Sequence, residues 1–334
     1  MSMGMARRCV ARYHRPMGAA SGLRKISRTT WVIIALLLLA AAGFGLWRLV
    51  LARQPVAVLD WADRQFGGND GYRIALADGH YGNATGQRVE VIVPDAGRTA
   101  PYPVLVFIHG GGWHAGDPRD YRFVGRQFAR AGYVVVLAGY RLGPEGRFPL
   151  MLQDSAAAVA WTRENIARWS GDPERVFLMG QSAGAYNAVM LALERQWLGR
   201  EGVPEGFVKG VIGLSGPYDF HPWTSDSARN AFGHVADPQV TQPIHFARSD
   251  APPILLVTGD ADETVRPRNS QALAAAQQAV NRPVELLILP GMDHSDTVMK
   301  LAAPFNRDRR LLDPVLAFLA AHGGASATVQ TRRP

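Results

Sequence analysis

Apolar residues in this chain gather in short unbroken runs, and those runs predict the fold. The segments 104–109 (VLVFIH), 133–138 (YVVVLA), 176–179 (VFLM), 208–214 (VKGVIGL), 254–258 (ILLVT) and 284–289 (VELLIL) have the length and β-branched content of strands buried on both faces. Segment 88–93 (RVEVIV) alternates with period two, as a strand does. Between them, 119–131, 148–169, 183–197, 268–280 and 311–322 read as helices, and Gly171-Asp172-Pro173 stops the second. Strands alternating with helices predict an α/β fold with a mostly parallel central sheet and helices on both faces. In such sheets, binding sites form where strands end at their carboxyl edge. The stretch 221–250 holds no convincing strand and three scattered histidines, His221, His234 and His245, and reads as a small cap over that edge or as a plain surface loop.

One run is of another kind. Residues 31–47 (WVIIALLLLAAAGFGLW) contain no charge or strongly polar group, and past Arg48, which can snorkel, the apolar character continues to Leu51. Seven basic residues and no acidic one precede it, so the positive-inside rule keeps the N-terminus cytoplasmic. The expected layout is a basic cytoplasmic tail (1–30), a transmembrane anchor (31–51), a juxtamembrane linker (52–67), a folded domain (68–322) and a disordered tail (323–334). The domain would then lie outside the cytoplasm, as at the periplasmic side of a bacterial inner membrane. Ala40-Ala41-Ala42 leaves a second reading, a cleaved signal peptide and a secreted domain. The linker (ARQPVAVLDWADRQF) would lie as an amphipathic helix on the membrane or on the domain.

Charge changes the picture once it is located. The 334 residues carry a formal net charge of +8, but nine of the 36 Lys and Arg and none of the 28 Asp and Glu fall within 1–53, leaving 27 basic against 28 acidic in the remainder. No basic face is left for a phosphate backbone, so no nucleic-acid partner is expected. Cys9 is the single cysteine, and neither a His-Glu-x-x-His nor a phosphate-loop pattern occurs, so no metal or cofactor is expected.

The candidate chemistry sits at strand ends. Strand 176–179 runs into Gly180-Gln181-Ser182-Ala183-Gly184, the Gly-x-Ser-x-Gly pattern of a nucleophile elbow, where the strand-to-helix turn is so tight that the flanking positions must lack side chains. Ser182 would be strained and exposed there. After strand 104–108 comes His109-Gly110-Gly111-Gly112-Trp113, whose glycines let backbone amides approach a developing oxyanion; Gly111 and Gly112, with Ala183 after the nucleophile, would supply the N–H groups. His109 precedes those glycines and reads as a structural histidine that pins the loop. A triad in the order Ser, acid, His then needs partners from later strand ends. Gly259-Asp260-Ala261-Asp262 offers two acids, and Pro290-Gly291-Met292-Asp293-His294 offers the base. His294 would take the proton of Ser182 and return it to the leaving group.

Together these stretches resemble the α/β-hydrolase esterases of the hormone-sensitive-lipase and feruloyl-esterase-like type, including relatives of kynurenine formamidase. The resemblance runs from about Tyr81 to His322 through VLVFIHGGGW (104–113), YRLGPE (140–145), Asp154, GDPERVFLMGQSAG (171–184), SGPYD (215–219), Gly259–Val265 and Gly291–His294. It implies a serine carboxylic ester hydrolase working through an acyl-enzyme, with Asp262 as the acid by the Gly-x-x-Asp-x-x-Val pattern, and a small-molecule ester as substrate. It also implies that Arg141, Asp154 and Asp219 are buried polar groups bracing the sheet. Gln181 departs from the His, Asp or Glu more usual there, and the apolar N-terminal run is not part of the family pattern. The alternatives are an arylformamidase or other amidohydrolase, disfavoured because kynurenine metabolism is cytosolic, and a catalytically dead fold used as a binding module, disfavoured because no triad member is lost.

Overall fold

The computed structural model describes residues 27, 31–34, 36–39, 55–95, 100–282 and 284–323. They fall into two units, Met1–Arg53 and Gln54–Pro334. Of the first unit, residues 31–34 and 36–39 are helical. No helix among the described residues is long and apolar enough to cross a membrane. The remainder of the run expected as an anchor (31–51) lies outside the described residues, as do nearly all of the basic tail and 324–334 of the tail expected to be disordered.

The second unit is built on one eight-stranded sheet. Its strands are β1 (Tyr72–His80), β2 (Arg88–Pro94), β3 (Tyr102–Ile108), β4 (Val134–Ala138), β5 (Gly171–Gln181), β6 (Val208–Leu214), β7 (Ile254–Gly259) and β8 (Glu285–Leu289), in the order β1-β2-β4-β3-β5-β6-β7-β8. β1 pairs with β2 and β2 with β4 antiparallel, and every other pairing is parallel. The continuous apolar runs explain themselves here: along β3, Val104, Val106 and Ile108 enter one core while Leu105 and Phe107 enter the other, and β4 and β5 alternate likewise.

Helices cover both faces. α1 (Pro55–Phe66), α2 (Arg122–Arg130) and α9 (Leu312–His322) contribute Leu59, Phe128 and Phe318 to one core. α3 (Leu150–Asn165), α4 (Ala183–Leu193) and α7 (Arg268–Ala279) contribute Val159, Val189 and Leu273 to the other. The shorter helices are α5 (Gln196–Arg200), α6 (Asp226–Phe232) and α8 (Asp296–Met299).

Three expectations shift. The elbow helix stops at Leu193, because Glu194 adopts extended backbone (φ −99°, ψ 104°), and α5 follows separately. β1 is a strand that the hydrophobic pattern does not announce. It is half-exposed at the sheet edge, and its register slips between Ile74 and Leu76 and again between Leu76 and Gly79, which destroys any period of two. The stretch 52–67 is α1 from Pro55 onward, and it lies on this domain. Arg126 of α2, 2% exposed, donates to Asp63 Oδ2 at 2.6 Å and to Asp60 Oδ1 at 2.7 Å, and Asp63 Oδ1 accepts from the Ala303 N–H at 2.7 Å. Burial pushes the Asp60 carboxyl above its ordinary range in spite of the adjacent guanidinium.

Of the polar groups expected to brace the sheet, Asp154 is buried and accepts from Arg141 N, Nε and Nη2 and from Gln87 Nε2 at 2.6–2.9 Å. Asp219 is only half-buried. Its turn is held instead by Asn269 Oδ1, which accepts from the Tyr218 and Asp219 N–H groups at 3.0 Å.

Candidate active site

Ser182, Asp262, His294 and the glycine loop 110–112 meet at the carboxyl edge of the sheet. β5 ends at Gln181, and Ser182 follows with φ 54° and ψ −119°, a conformation that L-residues adopt only under constraint. The constraint is visible at its flanks. A Cβ on Gly180 would stand 2.2 Å from the Gly184 carbonyl oxygen, and one on Gly184 would stand 2.0 Å from that of Ile108. Strand, turn and helix are therefore packed too closely for any other residue. The Ser182 N–H donates to Leu214 O at 2.8 Å, which ties the elbow to β6.

His294 arrives from the loop after β8, and its Nε2 lies 2.9 Å from Ser182 Oγ. Its Nδ1 lies 2.9 Å from Asp262 Oδ2. Asp262, after β7, is 2% exposed, and its Oδ1 accepts from the N–H groups of Thr264 at 3.0 Å and Val265 at 2.8 Å. Burial alone would raise its pKa, but the hydrogen bond and charge of His294, the Val265 N–H and the Ser215 hydroxyl together hold the carboxyl below the usual range. The other aspartate faces away from this chain of contacts: Asp260 Oδ1 accepts from the Gly291 N–H at 2.7 Å. With Ala261 N–H donating to Met292 O at 3.1 Å, it stitches the β7 and β8 loops together, and this brings Asp262 and His294 into register.

The glycine loop after β3 forms the opposite wall. Gly111 and Gly112 have φ of 109° and 60°, and a Cβ on Gly111 would fall 2.1 Å from Ala115 O, so the turn requires glycine there. The turn is closed by the His114 and Ala115 N–H groups donating to Gly111 O at 3.2 and 3.0 Å, and Gly111 and Gly112 line the same cleft as Ser182. Ala183 opens α4, where a first-turn N–H has no intrahelical acceptor. His109 is buried, with Nδ1 2.7 Å from Gly110 O and its ring stacked on Tyr140 and Tyr121. Burial lowers its pKa, consistent with a neutral histidine that pins the loop.

A cleft of about 750 Å³ opens over these atoms. Pro222, Thr224, Ser225, Ser227 and Ala228 line it, so the strandless stretch forms part of its lining. Its helix α6 is capped by Ser225 Oγ accepting from Ala228 N–H at 3.1 Å, and Phe232 plants it on Trp113 and Tyr186. His221, His234 and His245 take no part in the Ser–His–Asp contacts; His234 Nε2 lies 2.8 Å from Phe148 O. Among the described residues no three His, Cys, Asp or Glu side chains come together to hold a metal ion.

Several participants escaped the sequence. Ser215, at φ 50° after β6, contacts the carboxyl of Asp262, and the Thr297 hydroxyl of α8 lies 3.0 Å from Ser215 Oγ and 3.1 Å from the His294 carbonyl. Ser215 showed in the sequence as the first residue of the SGPYD block at a strand's carboxyl end, with no role attached to it. Val56 and Leu59 of α1 also line the cleft, and nothing in the pattern of 52–67 pointed inward.

The model of the BD-FAE family matches residues 89–276, more than half of the chain. The chain belongs to the BD-FAE family. Ser182 and Asp262 fall inside the matched BD-FAE region, whereas His294 and α1 fall outside it. Among curated proteins, the chain is similar to the isoprenylcysteine alpha-carbonyl methylesterase ICME of Arabidopsis thaliana, at 27% identity over 275 residues, 76% of this chain and 64% of that protein. It is also similar to the esterase LipC of Mycobacterium tuberculosis, at 29% identity over 64% of this chain and 58% of that protein. The chain thus spans about three fifths of the length of these relatives. Among solved structures, esterase B from Lactobacillus rhamnosis aligns with a TM-score of 0.68 at 21% identity, covering 84% of this chain and 95% of that one. A truncated carbohydrate esterase from gut microbiota aligns at 0.66 and 20% identity, covering 76% and 99%. These likenesses establish the α/β-hydrolase fold of esterases, with its mostly parallel eight-stranded sheet.

Proposed function

We propose that this protein is a serine carboxylic ester hydrolase. The observation that carries the reading is His294, which lies 2.9 Å from Ser182 Oγ by one ring nitrogen and 2.9 Å from Asp262 Oδ2 by the other. In this reading His294 Nε2 accepts the Ser182 proton as Oγ attacks the ester carbonyl. Asp262, ionised at neutral pH by its hydrogen bonds, holds the Nδ1–H tautomer and stabilises the imidazolium. The N–H groups of Gly111, Gly112 and Ala183 receive the negative oxygen. Collapse expels the alcohol with the proton from His294, and a water activated by the same nitrogen frees the acid and regenerates Ser182. The methylesterase and esterase names of the relatives agree with an ester as substrate.

Ser182→Ala is expected to abolish hydrolysis of para-nitrophenyl esters, and a fluorophosphonate probe is expected to label the wild type alone. Equal labelling of both proteins would refute the assignment. Turnover is expected to persist in chelator.

For the N-terminal run 31–51 the support is sequence alone. We propose that it anchors the domain on the extracytoplasmic side of a membrane, with release of the full-length chain by a carbonate wash as the refuting result.

A further inference from the structure

Two guanidinium groups, Arg266 and Arg268, line the same cleft as Ser182 and His294, and the mechanism above uses neither. Both are exposed, and among the described residues neither has an acid partner. Elsewhere in the domain the pattern is different: Arg122, Arg126 and Arg141 each hold a carboxylate at 2.5–2.7 Å. The loop that carries the two arginines is fixed relative to the proposed reaction centre. Asp262 Oδ1 binds the N–H groups of Thr264 and Val265, and the next carbonyl, that of Arg266, accepts from Asn269 N at 3.0 Å and Asn269 Nδ2 at 3.2 Å. Arg268 is the first residue of α7, a twelve-residue helix whose N-terminal dipole adds to the positive potential. Glu263 is the single carboxylate among the residues that line the cleft, and the neighbouring Asp262 is buried and engaged by His294 and two backbone N–H groups, so at the cleft surface two cations face one anion. The Gln54–Pro334 unit as a whole is close to neutral, and the local excess is therefore a property of the cleft.

We infer that the cleft selects esters that carry a second, anionic group, a carboxylate or phosphate away from the scissile carbonyl, and that Arg266 and Arg268 bind it. This rests on the ester-hydrolase reading and adds the substrate class. Guanidinium groups are suited to the task because they offer planar pairs of donors to such oxygens.

The experiment uses two matched pairs of esters. In the first, the para-nitrophenyl monoester of adipic acid is compared with para-nitrophenyl methyl adipate, which has the same chain with its carboxylate masked. In the second, the butyrate ester of para-hydroxybenzoate is compared with that of methyl para-hydroxybenzoate, which moves the charge to the alcohol side. The readout is the ratio of kcat/KM, anionic over neutral. One pair is expected to show a ratio of about tenfold, the size of two unit-charge attractions at about 6 Å in water. The ratio is expected to fall to about one in Arg266→Gln/Arg268→Gln and to shrink toward one in high salt. It should survive in Arg268→Lys and rise in Glu263→Gln. Ratios near one for both pairs in an active wild type, or a ratio unchanged in the double variant, would overturn the inference and leave the ester-hydrolase reading standing. A wild type inactive on all four esters would overturn the ester-hydrolase reading itself.

Discussion

Replacing Asp262 by Asn tests the site most sharply, because the surroundings dictate which way the amide must sit. Oδ1 is claimed by two backbone donors, Thr264 N–H at 3.0 Å and Val265 N–H at 2.8 Å, so the amide oxygen takes that place. The NH2 group then stands where Oδ2 was, 2.9 Å from His294 Nδ1. Two donors cannot share that contact, so the imidazole must give up its Nδ1 proton and carry it on Nε2 instead. His294 then points an N–H at Ser182 Oγ and cannot accept its proton. The same substitution in a serine-protease triad costs roughly 10⁴-fold in turnover through this inverted tautomer, and a loss of that order, at least about 10²-fold, is expected here. Asp260→Asn should change kcat only a few-fold, because the Gly291 N–H that Asp260 accepts can be accepted equally by an amide oxygen. Steady-state kinetics on both purified variants with one para-nitrophenyl ester provide the measurement. Collapse in Asp260→Asn with Asp262→Asn still active would show that the wrong acid has been named.

Two further outcomes follow from the packing. Arg126→Ala leaves Asp63 buried without its cation and Asp60 with only the exposed Arg64 at 3.4 Å, and the expected loss is about 3–5 kcal/mol in urea unfolding, the usual result of removing one partner from a buried ion cluster; a loss below about 1 kcal/mol, the level of a surface pair, would contradict the burial. Gly111→Ala forces a Cβ to within 2.1 Å of Ala115 O at a φ of 109°, so the loop must move, and kcat is expected to fall by about 10²–10³-fold, the effect of losing an oxyanion donor, while the far-UV circular dichroism stays native. Unchanged kcat in that variant would remove the Gly111 amide from the proposed oxyanion site.

What the sequence makes legible is what is fixed by local chemistry. Unbroken apolar runs mark the strands buried on two faces, and β3, β5, β7 and β8 deliver their loops to one edge because they are parallel strands of one sheet. Gly180 is legible because its absent side chain is dictated by contacts within one turn, with Gly184 and Ala185, and Gly184 because the Gly-x-Ser-x-Gly spacing marks it, although the atoms that exclude its side chain belong to Ile108 and His109. Legibility fails where a residue's role depends on distant chain. Ser215 reaches Asp262 only once β6 and β7 pair, and Thr297 is useful only because α8 starts beside His294. β1 is hidden by its two register slips. α1 reads as amphipathic, but the pattern does not declare what its buried side meets: its inward face includes Asp60 and Asp63, acids that become core residues only against Arg126.

That last arrangement bears on where the folding unit begins. A recombinant chain started at Gly68, the boundary that hydropathy suggests, would lack α1. Arg126 would be left in the core without either counter-ion, and the cleft would lose Val56 and Leu59 from its wall. Such a protein would combine an unstable scaffold with an altered selectivity, and its kinetics would describe a different enzyme. Soluble fragments intended for assay or crystallisation therefore need to start no later than Gln54, the residue at which the second unit opens.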